Sequence, residues 1–227
     1  MTYVNLTLFS QVVIDKFALY AGKRVSIKVV GSDIFRRLAS ADDGFVILSA
    51  HVGCYEMAGY ELVSDRKMFN ALVYANEKAS VMNGRSRLFA DNHIRMIPIT
   101  SDMSHLFRIE EVLRGGEIVS IPADRVFGSR KTVGVSLLGA EASLPSGPFS
   151  VAAMRGLNVV AVNVMKTSAR GYTAYVVPID YDKTAPRREQ VRTLADGYAA
   201  ELERVLRMYP AQWYNFFDFW HDGAGNR

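Results

Sequence analysis

At 227 residues, 49% hydrophobic and 22% charged, the chain has ordinary globular composition, which excludes a disordered or low-complexity protein and predicts one domain over residues 1–227. Its formal net charge of +4 favours anionic partners, but the basic residues are spread along the chain with no nucleic-acid-binding pattern, so no nucleic acid partner is expected. A lone cysteine, Cys54, rules out an intrachain disulfide and fits a reducing compartment.

The first twenty positions read as a helix with Phe9, Val13 and Phe17 on one face. Asp15 and Lys16 fall in the middle of this apolar segment. They argue against a membrane-spanning helix of about 20 apolar residues and for a helix lying on the protein or on a membrane surface. Buried strands are predicted for VSIKVV at 25–30, FVILSA at 45–50, FNALVYA at 69–75, EIVSI at 117–121 and NVVAVNVM at 158–165. YTAYVVPI at 172–179 alternates and reads as a strand nearer an edge.

Between the strands, Ser32 is placed to cap a helix through residue 38, and Asp102 to cap 103–113, which stops at Gly115 and Gly116. The longest helix spans 187–208, with Val191, Leu194, Tyr198, Leu202 and Val205 on one face and Pro210 beyond its end. FGSRKTVG at 127–134 reads as an irregular segment. The alternation of strand and helix periods predicts an α/β fold with a mostly parallel central sheet flanked by helices.

The chemistry gathers where FVILSA ends. His51 follows that strand, at the carboxyl edge where open α/β sheets place their sites. Glu56, five residues on, would fall in the first turns of a following helix, close enough to hold one imidazole nitrogen and leave the other facing a cleft. No Gly-x-Ser-x-Gly elbow is present, and Cys54 reads as a small packing residue, so a histidine base is preferred to covalent catalysis. His93, His105 and His221 stand apart from one another and from His51, so no metal site is expected.

Three further stretches join AHVGCYE: GRSR at 84–87, IPADRVFG at 121–128, and LLGAEASLPSGPFSVAAMRGLNVVAVNVMK at 137–166, followed by YPAQWYNFFDFW at 209–220. In this order they resemble the bacterial lipid A late acyltransferase family, within the glycerolipid acyltransferase superfamily, over nearly the whole chain. The resemblance implies a glycerol-3-phosphate acyltransferase-like fold and a catalytic His-x4-Glu pair, His51 as general base and Glu56 as its orienting partner. It assigns Arg85 and Arg87 to an Arg-x-Arg element, Asp124 and Gly128 to the aspartate and glycine after a short strand, Gly139 and Ser146-Gly147-Pro148 to later turns, and Pro210, Gln212 and Trp213 to a terminal Pro-x-Gln-Trp. Arg125 stands where better-known lipid A enzymes have a different polar pair.

Each of these positions has a chemical use. Arg85 and Arg87 are suited to clamp phosphates, Asp124 follows a buried strand and is expected near His51 with Arg125 beside it, and Ser146 and Gly147 look like a helix N-terminus offering amides to an oxyanion. The expected activity is acyl transfer from an acyl carrier protein or coenzyme A thioester to a hydroxyl or amine of a lipid or glycolipid, with no bound cofactor. Alternatives are an amino-acid lipid or polyene-type lipid as acceptor, or water, which would make a thioester hydrolase. Family members usually carry an N-terminal membrane-spanning helix, whereas this chain starts near the globular region. Cytoplasmic, peripheral association with the inner face of the inner membrane is therefore expected.

Overall fold

The structure, a computed structural model, describes residues 2–62, 64–74, 94–100, 102, 104–126, 131–216 and 219–220. Its elements run α1 (Thr2–Tyr20), β1 (Ser26–Val30), α2 (Ser32–Ser40), β2 (Phe45–Ser49), a 3₁₀ turn (Tyr55–Met57) leading into α3 (Ala58–Glu61), then β3 (Phe69–Tyr74) and β4 (Ile94–Ile99). They continue with α4 (Ser104–Arg114), β5 (Ile118–Pro122), β6 (Thr132–Leu137), β7 (Ala140–Pro145), α5 (Ser146–Met154), β8 (Asn158–Ser168), β9 (Gly171–Pro178), α6 (Arg187–Met208) and a 3₁₀ turn (Pro210–Gln212).

Seven strands form one sheet in the order β1-β9-β8-β2-β5-β3-β4. The five from β8 to β4 are mutually parallel. β9 turns back antiparallel onto β8, and β1 pairs parallel with β9 at the edge. The fold is thus α/β with a mostly parallel central sheet, as the alternating periods predict.

β2 lies inside this sheet and all five of its residues are buried. Burying such side chains is worth about 1.5–3 kcal/mol each, which is why FVILS shows no polar alternation. Its side chains divide by parity. Val46, Leu48 and Ala50 join β5, β8, α4, α5 and α6 in one core layer, while Phe45 and Ile47 pack with Val12 of α1, Phe35 and Ala39 of α2, and Met57 and Ala58 on the other face.

Several boundaries differ from the sequence reading. Ser32 opens α2 rather than capping it; Gly31, in the left-handed region at φ 85°, takes the cap position. Asp102 does accept the Ser104 amide at 3.0 Å, before a helix that starts at Ser104. Residues 132–134 are not irregular: they begin β6, which pairs antiparallel with β7 across a two-residue turn at Leu138 and Gly139, both with positive φ. Lys131 just before it belongs to no element, and the rest of that predicted segment, 127–130, lies outside the described residues. In α1 the inward residue is Val12, while Phe9 and Phe17 are exposed. Among the described residues no helix is long and apolar enough to cross a membrane.

Candidate active site

β2 and β5 are adjacent and parallel, with Ser49 level with Pro122. Two residues past each strand end stand His51 and Asp124, which therefore meet at the same carboxyl edge. The Ala123 amide donates to the Ser49 carbonyl at 2.9 Å and closes the two exits together.

The contact is double. Asp124 Oδ2 accepts the His51 backbone N–H at 2.9 Å, and Oδ1 faces His51 Nδ1 at 2.8 Å. Asp124 is 2% exposed, whereas the His51 side chain retains 20%. Against an ionised Asp124, which only accepts, a neutral His51 carries its proton on Nδ1 and its lone pair on Nε2. Behind this pair, the Tyr198 hydroxyl of α6 donates to the Ser49 carbonyl at 2.8 Å. Burial first, and Asp124 second, push the Tyr198 phenol well above its ordinary range and keep it a donor.

Glu56 does not occupy the position the sequence reading assigned to it. The carboxylate on Nδ1 is Asp124's, and both Glu56 oxygens are held by Lys16 Nζ of α1, at 2.9 and 2.8 Å. The reason is local. Gly53 adopts φ +55°, and a Cβ there would lie 2.1 Å from the Val164 carbonyl oxygen. The chain therefore turns tightly against β8, where the Cys54 amide donates to that carbonyl at 2.7 Å, and enters a 3₁₀ turn rather than an α-helix. Glu56 is carried towards α1 by this turn.

Cys54, between the two, is buried, and its thiol is pushed up to about 12 by burial first and the Glu56 charge second. It is a neutral packing group.

The Pro-x-Gln-Trp stretch braces the same turn. The Gln212 side chain reads both backbone groups of Lys166, accepting from its amide at 2.9 Å and donating to its carbonyl at 2.7 Å. Its own carbonyl accepts the Gly53 amide at 2.9 Å, Trp213 bridges Val52, and the Tyr214 amide donates to the His51 carbonyl at 3.2 Å. Arg125 belongs to this brace: its Nη2 donates to the Tyr214 carbonyl at 2.9 Å.

Of the remaining predicted site residues, Ser146 and Gly147 open α5, which follows β7 directly. Ser146 gives both its amide and its hydroxyl to the Lys131 carbonyl, at 3.0 and 3.1 Å, and these donors are taken. Gly147 follows, exposed, ahead of the buried Pro148 and Phe149. Arg85, Arg87 and Gly128 lie outside the described residues. Lys16, a partner of Glu56, has one faint signal in the sequence: a lysine amid the apolar residues of α1. Among the described residues, no group of three or more His, Cys, Asp or Glu is placed to hold a metal ion.

The mostly parallel sheet thus carries, at its carboxyl edge, a histidine held by a buried carboxylate, an arrangement suited to acid–base chemistry. In fold the chain is similar to the crystal structure of the 1-acyl-sn-glycerophosphate (LPA) acyltransferase PlsC from Thermotoga maritima, with a TM-score of 0.51 over 92% of this chain and 81% of that one, at 14% identity. The profile of the bacterial lipid A biosynthesis acyltransferases matches residues 14–221, and the chain belongs to that family. No curated protein matches it. The protein is an acyltransferase, and its reaction is acyl transfer to a lipid.

Proposed function

We propose that the protein moves a fatty acyl group from an acyl carrier protein or coenzyme A thioester to a hydroxyl or amine of a lipid or glycolipid acceptor, with His51 as general base. The two-point hold of Asp124 on His51 supports this reading most directly, because it fixes the tautomer whose Nε2 can take a proton. The acceptor's O–H or N–H gives its proton to Nε2 as the heteroatom attacks the thioester carbonyl. The tetrahedral intermediate then collapses, the C–S bond breaks, and the departing sulfur takes the proton back from the imidazolium and leaves as a thiol. Asp124 stabilises the imidazolium between these steps. Glu56 acts in the same turn through its pair with Lys16.

In this reading Arg85 and Arg87 clamp phosphate oxygens of the donor arm or acceptor head group, and the Gly147 amide in the first turn of α5, the Ser146 amide being taken by Lys131, faces the developing oxyanion. Asp124 is thereby moved from substrate contact to the support of the base, and Arg125 to the brace. The exposed apolar residues of α1, with Phe216 and Trp220, fit peripheral contact with the cytoplasmic face of the inner membrane. The whole of residues 1–227 is taken as a single acyltransferase domain. Thiol release from a long-chain acyl thioester, with and without bacterial lipid extract, tests the reading. Lipid-dependent release with an acylated lipid product supports it, and equal release into water makes the protein a thioester hydrolase.

A further inference from the structure

No atom of α1 takes part in the proton transfer at His51, yet α1 grips the His51 turn from two sides. On one side Lys16 holds both oxygens of Glu56, in a pair with side chains 24% and 11% exposed. On the other, Asp15 Oδ2 accepts from Lys166 Nζ at 2.5 Å and from the Tyr172 hydroxyl at 2.6 Å. Lys166 is the residue whose backbone is read by Gln212, and Gln212 and Tyr214 hold Gly53 and His51. Asn5 of the same helix donates to the Ala211 and Trp213 carbonyls, both at 3.0 Å, and so fastens the brace itself.

The charge distribution of α1 follows from these contacts. Asp15 and Lys16, its two charged residues, are turned into the protein, and its exposed positions carry Thr2, Tyr3, Val4, Leu6, Phe9, Ser10, Gln11, Ile14 and Phe17, none of them charged. A largely buried ion pair is costly to form, and removing one partner leaves the other charge uncompensated. The charges of Glu56 and Lys16 also act on the turn between them and His51, since both bear on the Cys54 thiol, in opposite directions.

We infer that Lys16 is a positioning residue of the acyltransferase site, its pair with Glu56 holding the turn that carries His51 so that catalysis depends on how α1 is seated. This rests on the reading of His51 as the base. A helix with an uncharged outer face is the element a lipid surface would press or tilt, and Lys16 is where that movement would reach the turn.

The test compares the full chain with Lys16→Met, Lys16→Arg, Glu56→Gln and the Lys16→Met/Glu56→Gln double variant, with the acyl thioester varied at saturating lipid extract. Lys16→Met is expected to lower kcat about tenfold while KM for the thioester moves less than about twofold, the mark of lost positioning rather than lost binding. Lys16→Arg restores most of the rate, and the double variant is no slower than its slower parent. Circular dichroism and thermal melts establish that each variant is folded. If Lys16→Met melts below the assay temperature, Lys16→Gln, which removes the charge and keeps a donor, is expected to show the same fall in kcat. A folded Lys16→Met or Lys16→Gln with wild-type kcat overturns the inference, as does strict additivity in the double variant. His51→Ala, run alongside, separates the two levels: activity there sinks the base assignment, whereas an inactive His51→Ala beside a fully active Lys16→Met sinks only the role of Lys16.

Discussion

Asp124 holds His51 at two points, its backbone amide at 2.9 Å and its Nδ1 at 2.8 Å, from a position 73 residues further along the chain. The pairing fixes which imidazole nitrogen is free. Asp124→Asn keeps the size of the side chain but offers an amide N–H₂ to one of two donors, so it favours the wrong tautomer or breaks the backbone contact. Acyl transfer is expected to fall by about 10²–10⁴, the usual range for losing a general base. Steady-state kinetics of Asp124→Asn beside Glu56→Gln check the assignment, and the larger loss is expected at Asp124.

The Gln212 brace predicts a joint loss of stability and activity. Gln212→Leu keeps the bulk and removes both contacts to Lys166, leaving a buried amide and carbonyl unpaired at about 1–3 kcal/mol each. Urea unfolding should show a lower midpoint with an unchanged slope. Activity measured well below that midpoint should also fall, because the same segment holds Gly53 and His51.

Cys54 lies three residues from the base, yet its thiol is pushed up to about 12 by burial and the nearby Glu56 charge. At pH 8 it is almost wholly protonated. Iodoacetamide is therefore expected to leave the folded protein unmodified and to label it only in denaturant. Cys54→Ala should retain acyl transfer, whereas loss of activity in a folded Cys54→Ala would point to a thiol mechanism.

Acid should weaken the fold through three carboxylates, Asp102 and Asp182 exposed and Glu203 half-buried. Asp102 is held down to about 2, first by the Thr100 hydroxyl and then by the Ser104 amide. Asp182 is lowered by the Thr184 hydroxyl, and Glu203 by Arg207 and then the Leu138 amide. A carboxylate with a depressed folded value adds stability above its ordinary range and loses it as pH falls towards the folded value. The thermal midpoint should change little through these groups from neutrality down to about pH 5 and drop below about pH 4. Melting Asp102→Asn over the same range should show a shallower drop.

Much of the fold was legible because burial on both faces writes a continuous apolar run. β2, β3, β5 and β8 are such runs, and α6 carries its period from Arg187 to Met208. β4 escaped notice because Arg95 and Pro98 break the run IRMIPI. The β6–β7 hairpin was hidden by Gly134, Ser136 and Gly139, and by a leucine, Leu138, in the left-handed region where glycine or asparagine is the usual cue.

At the site, His51 was legible from its place after a strand, and the proximity of Asp124 from its place after another. The partner of Glu56 was not. A helix opening just after His51 would have carried Glu56 back to the imidazole, but the turn at Gly53 sends the carboxylate to Lys16, 40 residues earlier in the chain, in a tertiary contact that the spacing around His51 does not record.

The most direct test of the central claim is thiol release from a long-chain acyl thioester in the presence of bacterial lipid extract, comparing the intact protein with His51→Ala. The account predicts lipid-dependent release and an acylated lipid of matching mass from the intact protein, and neither from a folded His51→Ala. Undiminished acyl transfer by His51→Ala would contradict it and leave His51 and Asp124 as a structural pair.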